Sequence, residues 1–369
     1  MIQRRNIAIY LVDASNEFDG IGEVEANIAK GLAARARELK EKENIQMYFL
    51  VDKTQTGKYG EDVQYIVVND WLKTMVNTPL LNQVARWQLP HFNLVHITHQ
   101  NPKFHRPFGD HTLVTFHDVN FFHNNNTSAA SFRRKVKRMQ RMLHSATHLS
   151  FISRFTSQDV QQHFMVTQPH RVVMNGVSDL SALTCPNPIH VPNNYLLHLS
   201  DMCDKKNTHL LVAMMQHLPD EHLVLAGRVK PKDKERLNSI INKLHLTNVQ
   251  FTGGVSREQK AELYRHCKAF LFPSRSEGFG LPPLEAMSFG KPTFLTPLTS
   301  LPEVGGEAAF YFDQLQPYEM AHTVTLGLKK YGEDTLRWGE TIKAQARKFT
   351  WETAVEAYIR YYIDILSMT

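Results

Sequence analysis

Between residues 274 and 292 the chain reads SRSEGFGLPPLEAMSFGKP, with Glu277 and Glu285 eight positions apart around Gly278 and Gly280. The stretch follows the apolar run AFLFP (269–273) and leads into a helical pattern. A strand, a glycine loop and a helix in that order aim free amides and a positive helix end at one spot, an arrangement that suits a phosphate. Pro283 is the expected first helical residue, because proline is tolerated where an amide has no helical partner, and Glu285 then falls near the third position. A carboxylate repels a diphosphate but accepts hydrogen bonds from hydroxyls, so two of them flanking the anion would take sugar hydroxyls on either side. The same residues also fit a Glu285 that caps its helix and a Glu277 that is solvated. Lys206 in DKKN (204–207) and Arg228 after LVLAG (223–227) are cations that fit a phosphate or plain solvent. His117 in TFHD (115–118) is one of 19 histidines, so only its setting singles it out.

These residues need elements to hold them. Short β-branched apolar runs recur as IAIYLV (7–12), MYFLV (47–51), YIVV (65–68), LVHIT (94–98), TLVTF (112–116), LSFIS (149–153) and RVVM (171–174). They read as strands buried on both faces. Amphipathic helical patterns lie between several of them, at 23–39, 131–143 and 156–164, which predicts a mostly parallel sheet covered on both faces. A proline- and asparagine-rich stretch at 180–194 has linker composition. Beyond it the alternation restarts, with strands at 195–199, 223–227, 249–253, 269–273, 293–296 and 310–312 and helices at 208–218, 232–244, 257–267 and 283–289. Three further helical stretches end the chain. The expected organisation is an α/β domain over 1–185, a second over 186–349, and a helix over 350–369 that packs back on the first. In such doubly wound domains ligands bind beyond the carboxyl ends of the strands, and the cleft between two domains is the favoured place for a small molecule.

Composition narrows the classes. At 369 residues, 42% apolar and 21% charged, the chain is an ordinary two-domain globular protein rather than a disordered or fibrous one. The net charge of +6 favours anionic partners without the density of a nucleic-acid binder, and no nucleic-acid motif is evident. Cys185, Cys203 and Cys267 are too few and too widely spaced for a disulfide framework or a zinc cluster, which suits a reducing cytoplasm. The opening MIQRRNIAIYLV has too short an apolar run for a signal peptide or a spanning helix, so membrane contact is expected to be peripheral. One candidate surface is SFRRKVKRMQRMLH (131–144), with six basic residues from Arg133 to Arg141. Phe132, Val136, Met139 and Leu143 share one face of that helix, and the basic face fits solvent, anionic headgroups or a phosphorylated acceptor.

Taken together, the EGFGLPPLE segment resembles the retaining glycosyltransferases of family 4, of the GT-B fold, whose hallmark is two glutamates separated by seven residues around a glycine loop. Further stretches carry the resemblance in order: FDGIGEVEANIAKGL (18–32), TFHD, LSFISRFTSQDVQQHF (149–164), VVMNGV (172–177), DKKN, LAGR (225–228), VQFTGGVS (249–256), TSLPEVGGEAAFYFD (299–313) and FTWETAVEAY (349–358). The resemblance implies two Rossmann-like doubly wound domains facing a central cleft, the first binding acceptor and the second a nucleotide diphosphate sugar. It implies that Glu277 holds hydroxyls of the transferred sugar, Glu285 the ribose, and the backbone of Gly278, Phe279, Gly280 and Leu281 the diphosphate and sugar. Lys206 would neutralise the leaving diphosphate with Arg228 as a second partner. Gly20 and Gly22 would form a loop facing the diphosphate, and His117 would reach the donor sugar across the cleft. Many relatives carry Gly-Arg where this chain has Ser200 and Asp201, which removes one phosphate-binding cation. No cofactor and no metal is expected, since the Asp-x-Asp signature of the other large glycosyltransferase fold is missing. The implied function is hexosyl transfer from a nucleotide diphosphate sugar to a glycan acceptor, lipid-linked in cell-surface polysaccharide or lipopolysaccharide assembly, at the inner face of the membrane. A sugar phosphorylase, a nucleotide-sugar epimerase and a non-catalytic binder of anionic ligands are the alternatives.

Overall fold

The computed structural model describes residues 4–16, 20–103, 108–123 and 127–368. Residues 1–3 of the opening run, and Phe18 and Asp19 of FDGIGEVEANIAKGL, lie outside the described residues. The chain divides into two units, Met1–Gly176 with Trp351–Thr369, and Val177–Thr350.

The first unit runs β1 (Arg5–Leu11), α1 (Gly20–Lys42), β2 (Ile45–Val51), β3 (Gln64–Val67), α2 (Asp70–Asn77), α3 (Pro79–Gln88), β4 (Leu94–Ile97), β5 (His111–Phe116), α4 (Ala129–Ser145), β6 (His148–Phe151), α5 (Arg154–His163) and β7 (His170–Val172). Its seven strands lie in the order β3-β2-β1-β4-β5-β6-β7, and all pairs are parallel. The central strands are buried on both faces as their apolar runs predict, whereas the edges are not. All of β7 is exposed and β3 is only half-buried, because an edge strand has a neighbour on one side alone. Residues 70–88, which carry no sequence assignment, form α2 and α3. Asn69 caps the first through Leu72 N at 2.8 Å, and Pro79 opens the second.

The second unit runs β8 (Leu196–Leu199), α6 (Thr208–Met214), β9 (Leu223–Ala226), α7 (Pro231–Lys243), β10 (Val249–Gly253), α8 (Arg257–His266), β11 (Ala269–Phe272), α9 (Leu281–Ser288), β12 (Thr293–Leu295), α10 (Leu301–Gly305), β13 (Phe310–Tyr311), α11 (Pro317–Glu333) and α12 (Thr335–Ala346). Its sheet order is β10-β9-β8-β11-β12-β13, again all parallel. The expected boundary at 185 is corrected to Gly176. The reason is that the proline-rich stretch belongs to the second unit: Leu180 is buried in its core, and Arg265 Nη2 donates to the Ser181 and Leu183 carbonyls at 3.0 and 2.9 Å.

The last helix, α13 (Trp351–Ser367), belongs to the first unit. Its Tyr362 hydroxyl meets His96 Nδ1 at 2.7 Å, and Gly31 on α1 leaves room for Val355, whose Cγ2 would sit 2.4 Å from an added Cβ. In both sheets the strand order reverses once, between β1 and β4 and between β8 and β11. Loops leaving the strands at such a point diverge and open a crevice at their carboxyl ends.

Candidate functional site

In the second unit the crevice is lined by the segments after β8 and β11. The chain leaves β8 through Ser200 and Asp201 into a 3-10 turn, Asp204–Lys206, and Asn207 then takes a left-handed conformation with φ 52° while its side-chain amide donates to the Pro273 carbonyl at 2.9 Å. That tie brings Lys206 to the loop after β11. Its ammonium lies 2.6 Å from Glu277 Oε1 and 4.7 Å from the Phe272 ring centre, and both charged side chains are only 12% exposed. A solvated reading of Lys206 and of Glu277 is therefore corrected: each is buried against the other. Ser274 Oγ also donates to Glu277. Burial pushes the Glu277 carboxyl up, but Lys206, Lys205 and these hydrogen bonds outweigh it and hold the group below the usual glutamate range.

The loop itself is fixed from behind. Ser300 Oγ donates to the Phe279 carbonyl at 2.7 Å and lies 3.1 Å from that of Glu277, and Thr299 Oγ1 accepts from Glu277 N at 3.1 Å. Gly280 has φ 125°, a conformation that side chains disfavour, and it caps α9. Because that turn closes early, α9 starts at Leu281 rather than Pro283, and Glu285 is its fifth residue. Pro282 and Pro283 carry no amide hydrogen, so anion-facing donors are confined to the loop amides and Leu281. Glu285 is buried, with Lys260 donating to Oε1 and the Tyr264 hydroxyl to Oε2 at 2.9 Å. It is held by α8 rather than acting as a cap for α9.

Arg228 is exposed where the chain leaves β9, and its side chain lies over Gly254, 3.2 Å from where a Cβ would stand. Gly227 before it has φ 119° and leaves no space for a side chain against the Ser200 carbonyl. Ser200 Oγ in turn binds Met202 N at 2.9 Å and meets His198 Nε2 at 2.7 Å. Asp201 sits below the usual aspartate range; burial raises it, and Lys206, the Cys203 contacts and Lys205 overcome that. The place of the missing Gly-Arg thus holds a neutral, half-buried hydroxyl and an acid that shares Lys206.

The first unit has a crevice of opposite character. Asp13 follows β1, His99 follows β4, and Glu25 projects from α1. His99 Nδ1 accepts from Asn101 N at 3.1 Å, which places its proton on Nε2, facing Asp13 Oδ2 at 2.9 Å and Glu25 Oε1 at 3.6 Å. Glu25 is fully buried, and burial pushes its carboxyl up to about 8, only partly offset by the Thr98 contact and the Asp13 and Ala14 amides. Thr98 Oγ1 lies 2.5 Å from the Tyr10 carbonyl and 2.6 Å from Glu25 Oε1. One hydroxyl proton satisfies the carbonyl, so the second contact is best made by a protonated Glu25. Asp13 is held low, first by its contact with His99.

Gly20 and Gly22 lie in the first turn of α1 rather than in a loop. A Cβ on Gly22 would stand 2.1 Å from the Asn16 carbonyl and 2.7 Å from that of Asp13, so glycine here lets α1 close on the turn after β1; Gly20 has open space. His117, after β5, is nearly buried and donates from Nε2 to the Thr98 carbonyl at 2.8 Å. Burial lowers it to about 4, against the raising effect of that carbonyl, so it is a neutral ring with its lone pair on Nδ1. On α4 all six basic side chains are exposed, Met139, Met142 and Leu143 are buried, and Phe132 and Val136 are half-buried. No helix among the described residues is long and apolar enough to cross a membrane.

Sequence reasoning missed Lys260, Tyr264, Asp13, Glu25 and His99. For Lys260 and Tyr264 the available signal was their spacing of one helical turn on a helix already expected; for Asp13 and His99 it was polar residues placed just beyond two strands that flank a reversal.

Residues 186–345 match the family described as Glycosyl transferases group 1. Over 187 residues the chain is 34% identical to the serotype-specific mannosyltransferase WbdA of Escherichia coli, a match covering 48% of this chain but only 22% of that protein's length. Against the O-antigen chain mannosyltransferase B of Escherichia coli it is 26% identical over 375 residues, 93% of this chain and 95% of the relative. The crystal structure of HepE from Anabaena in complex with UDP and glucose superposes with a TM-score of 0.69 over 97% of this chain and 99% of that one, at 18% identity, which shows a shared fold. The doubly wound second unit, its EGFG loop and these comparisons agree: residues 186–345 are similar to the glycosyl transferases group 1, and the chain has the GT-B fold of two Rossmann-like domains.

Proposed function

We propose that the chain is a retaining glycosyltransferase that moves a mannosyl group from a nucleotide diphosphate sugar to a hydroxyl of a lipid-linked glycan, in cell-surface polysaccharide or lipopolysaccharide assembly at the cytoplasmic face of the membrane. The sugar follows the two mannosyltransferase relatives. The observation that carries the reading is the Lys206 and Glu277 pair at the reversal between β8 and β11, beside a glycine loop with Glu285 beyond it.

The diphosphate would lie on the amides of Gly278, Phe279, Gly280 and Leu281, with Lys206 and Arg228 supplying charge. An arriving phosphate competes for Lys206, and Glu277 then has lone pairs free for hydroxyls of the sugar. Glu285, already fixed by Lys260 and Tyr264, offers its remaining lone pairs to the ribose diol. The bond from the anomeric carbon to the phosphate oxygen breaks while the acceptor oxygen bonds on the same face, and the departing phosphate takes the acceptor proton. Negative charge grows on that phosphate as the bond opens, so cations and amides fixed there stabilise the transition state more than the ground state. His117, neutral and locked through Nε2 within the first unit, would act there as a hydrogen-bond acceptor at Nδ1 rather than shuttle a proton.

The test is turnover of a panel of nucleotide diphosphate sugars with and without glycan acceptors, the product anomer being read by NMR. Mannosyl donor should be consumed only with a glycan present and with configuration retained. Inversion, or consumption driven by inorganic phosphate alone, contradicts the reading. For the membrane, α4 provides the contact, each basic residue being worth on the order of 1 kcal/mol near anionic lipid. Replacing Arg134, Lys137, Arg138 and Arg141 by Gln should abolish low-salt binding to anionic vesicles; unchanged binding rules α4 out as the anchor.

A further inference from the structure

Away from both crevices, His123, Asp159 and His163 bring two imidazoles onto one carboxylate. Asp159 and His163 are one turn apart on α5, and His123 ends the 3-10 turn Asn120–Phe122 in the segment leaving β5. His123 Nε2 lies 2.8 Å from Asp159 Oδ2, and His163 Nε2 lies 3.4 Å from Asp159 Oδ1. The nitrogen and oxygen donors of all three fall within 4.8 Å of one another. Asp159 is buried, whereas the two imidazoles keep about a third of their surface in solvent. The Phe122 ring stacks flat on His163, with centroids 3.7 Å apart and planes at 1°, and fixes the direction of its Nε2.

The geometry points to a binding site for a divalent transition metal of the zinc class, with Nε2 of His123, Nε2 of His163 and the Asp159 carboxylate as ligands. Zinc takes imidazole and carboxylate at about 2.0 to 2.2 Å in a tetrahedron, whose edges are then about 3.3 Å. The separations of 2.8 and 3.4 Å bracket that edge, so small side-chain rotations suffice. Two nitrogens and one carboxylate suit Zn²⁺, Ni²⁺ or Cu²⁺, while Mg²⁺ and Ca²⁺ seek oxygen ligands. The half-open histidines give the ion a path in, and three protein ligands leave a fourth position for water. The metal would tie the turn at 120–123 to α5, and His123 stands six residues after His117 on the same segment. Its role is thus to stiffen the turn at 120–123 against α5, and the site stands on the geometry of these three side chains rather than on the transfer reaction proposed above.

The experiment is titration of the metal-stripped full-length chain with Zn²⁺ by calorimetry and with Co²⁺ by visible absorption. One equivalent should bind, with millimolar Mg²⁺ failing to displace it, and hydrogen exchange across 117–123 should slow when Zn²⁺ is present. His123→Ala and His163→Ala remove solvent-reachable rings, leave Asp159 in place, and should each weaken binding by about tenfold or more. Absence of Zn²⁺ uptake at about 100 μM overturns the site, since structural zinc binds far more tightly. So does uptake that both variants leave unchanged, or uptake that Asp13→Asn abolishes instead, which would locate the ion at Asp13, Glu25 and His99.

Discussion

The two strand reversals are built alike and charged differently. In each, residues just beyond the first and fourth strands of a parallel sheet meet as an acid and a nitrogen base, Asp13 with His99 in the first unit and Glu277 with Lys206 in the second. In the second unit the base is a permanent cation next to a loop of free amides, so the crevice can surrender that charge to an incoming anion. In the first unit the base is an imidazole and a further acid, Glu25, is buried behind it with its carboxyl raised to about 8. With Glu25 protonated, Asp13 is the ionised carboxylate of that group. The same topology thus holds a permanent cation beside an acid at one reversal and an imidazole between acids at the other, and the side chains at two loop positions decide which.

Acid should separate the units most strongly. Burial holds His96 near 3 and His117 near 4 in the first unit, and His198 near 4 in the second. Because the unfolded chain protonates these rings near 6.5, their contribution is full above that pH and is lost as pH falls toward 4 or below, on the order of 3 kcal/mol for each ring. Glu25 works in the opposite direction, its contribution being full below about 4.5 and lost as pH rises to about 8. Urea unfolding followed by hydrogen exchange should show the first unit losing more stability between pH 6.5 and 4, and Glu25→Gln should flatten its decline on the alkaline side. Equal, pH-independent unfolding of both units over that range contradicts the burial argument.

Next in size is Glu277→Gln. A hydrogen bond involving a charged group is worth about 1.5 to 3 kcal/mol, so kcat should fall roughly tenfold to a few hundredfold. Nucleoside diphosphate affinity should hold or tighten, because Lys206 is released from its partner. Glu285→Gln should instead raise the donor KM and weaken nucleoside diphosphate binding, as expected of a contact made equally in ground and transition states. Tyr264→Phe removes one neutral donor to Glu285 and should move KM the same way by a smaller factor, about fivefold, with kcat kept. Steady-state kinetics beside nucleotide titration separates these outcomes; equal affinity losses in the two glutamate variants would erase the assigned division of labour.

What could be read in the sequence is what is local to one loop. Glu277 and Glu285 stand out because strand, glycine turn and helix are contiguous, and the alternation of apolar runs is enough to give two parallel sheets. What could not be read depends on side chains arriving from elsewhere. Taken alone, Lys206 fitted a phosphate or plain solvent, and its burial against Glu277 follows only once Asn207 ties its turn to Pro273; nothing in EGFGLPPLE announces that Lys260 and Tyr264 will hold Glu285 from another helix. Pro283 misled because Gly280, at positive φ, starts α9 two residues earlier. The stretch at 180–194 has linker composition yet is bound into the second unit by Arg265, an interaction invisible to composition.

The central claim is that the reversal between β8 and β11 receives the nucleotide diphosphate. Hydrogen exchange of the whole chain, with and without a saturating nucleoside diphosphate, tests it directly without altering a residue. Slowed exchange across 204–207 and 277–285 is the predicted result. Unchanged exchange there, with slowing confined to the segments of Asp13, Glu25 and His99, would contradict the account.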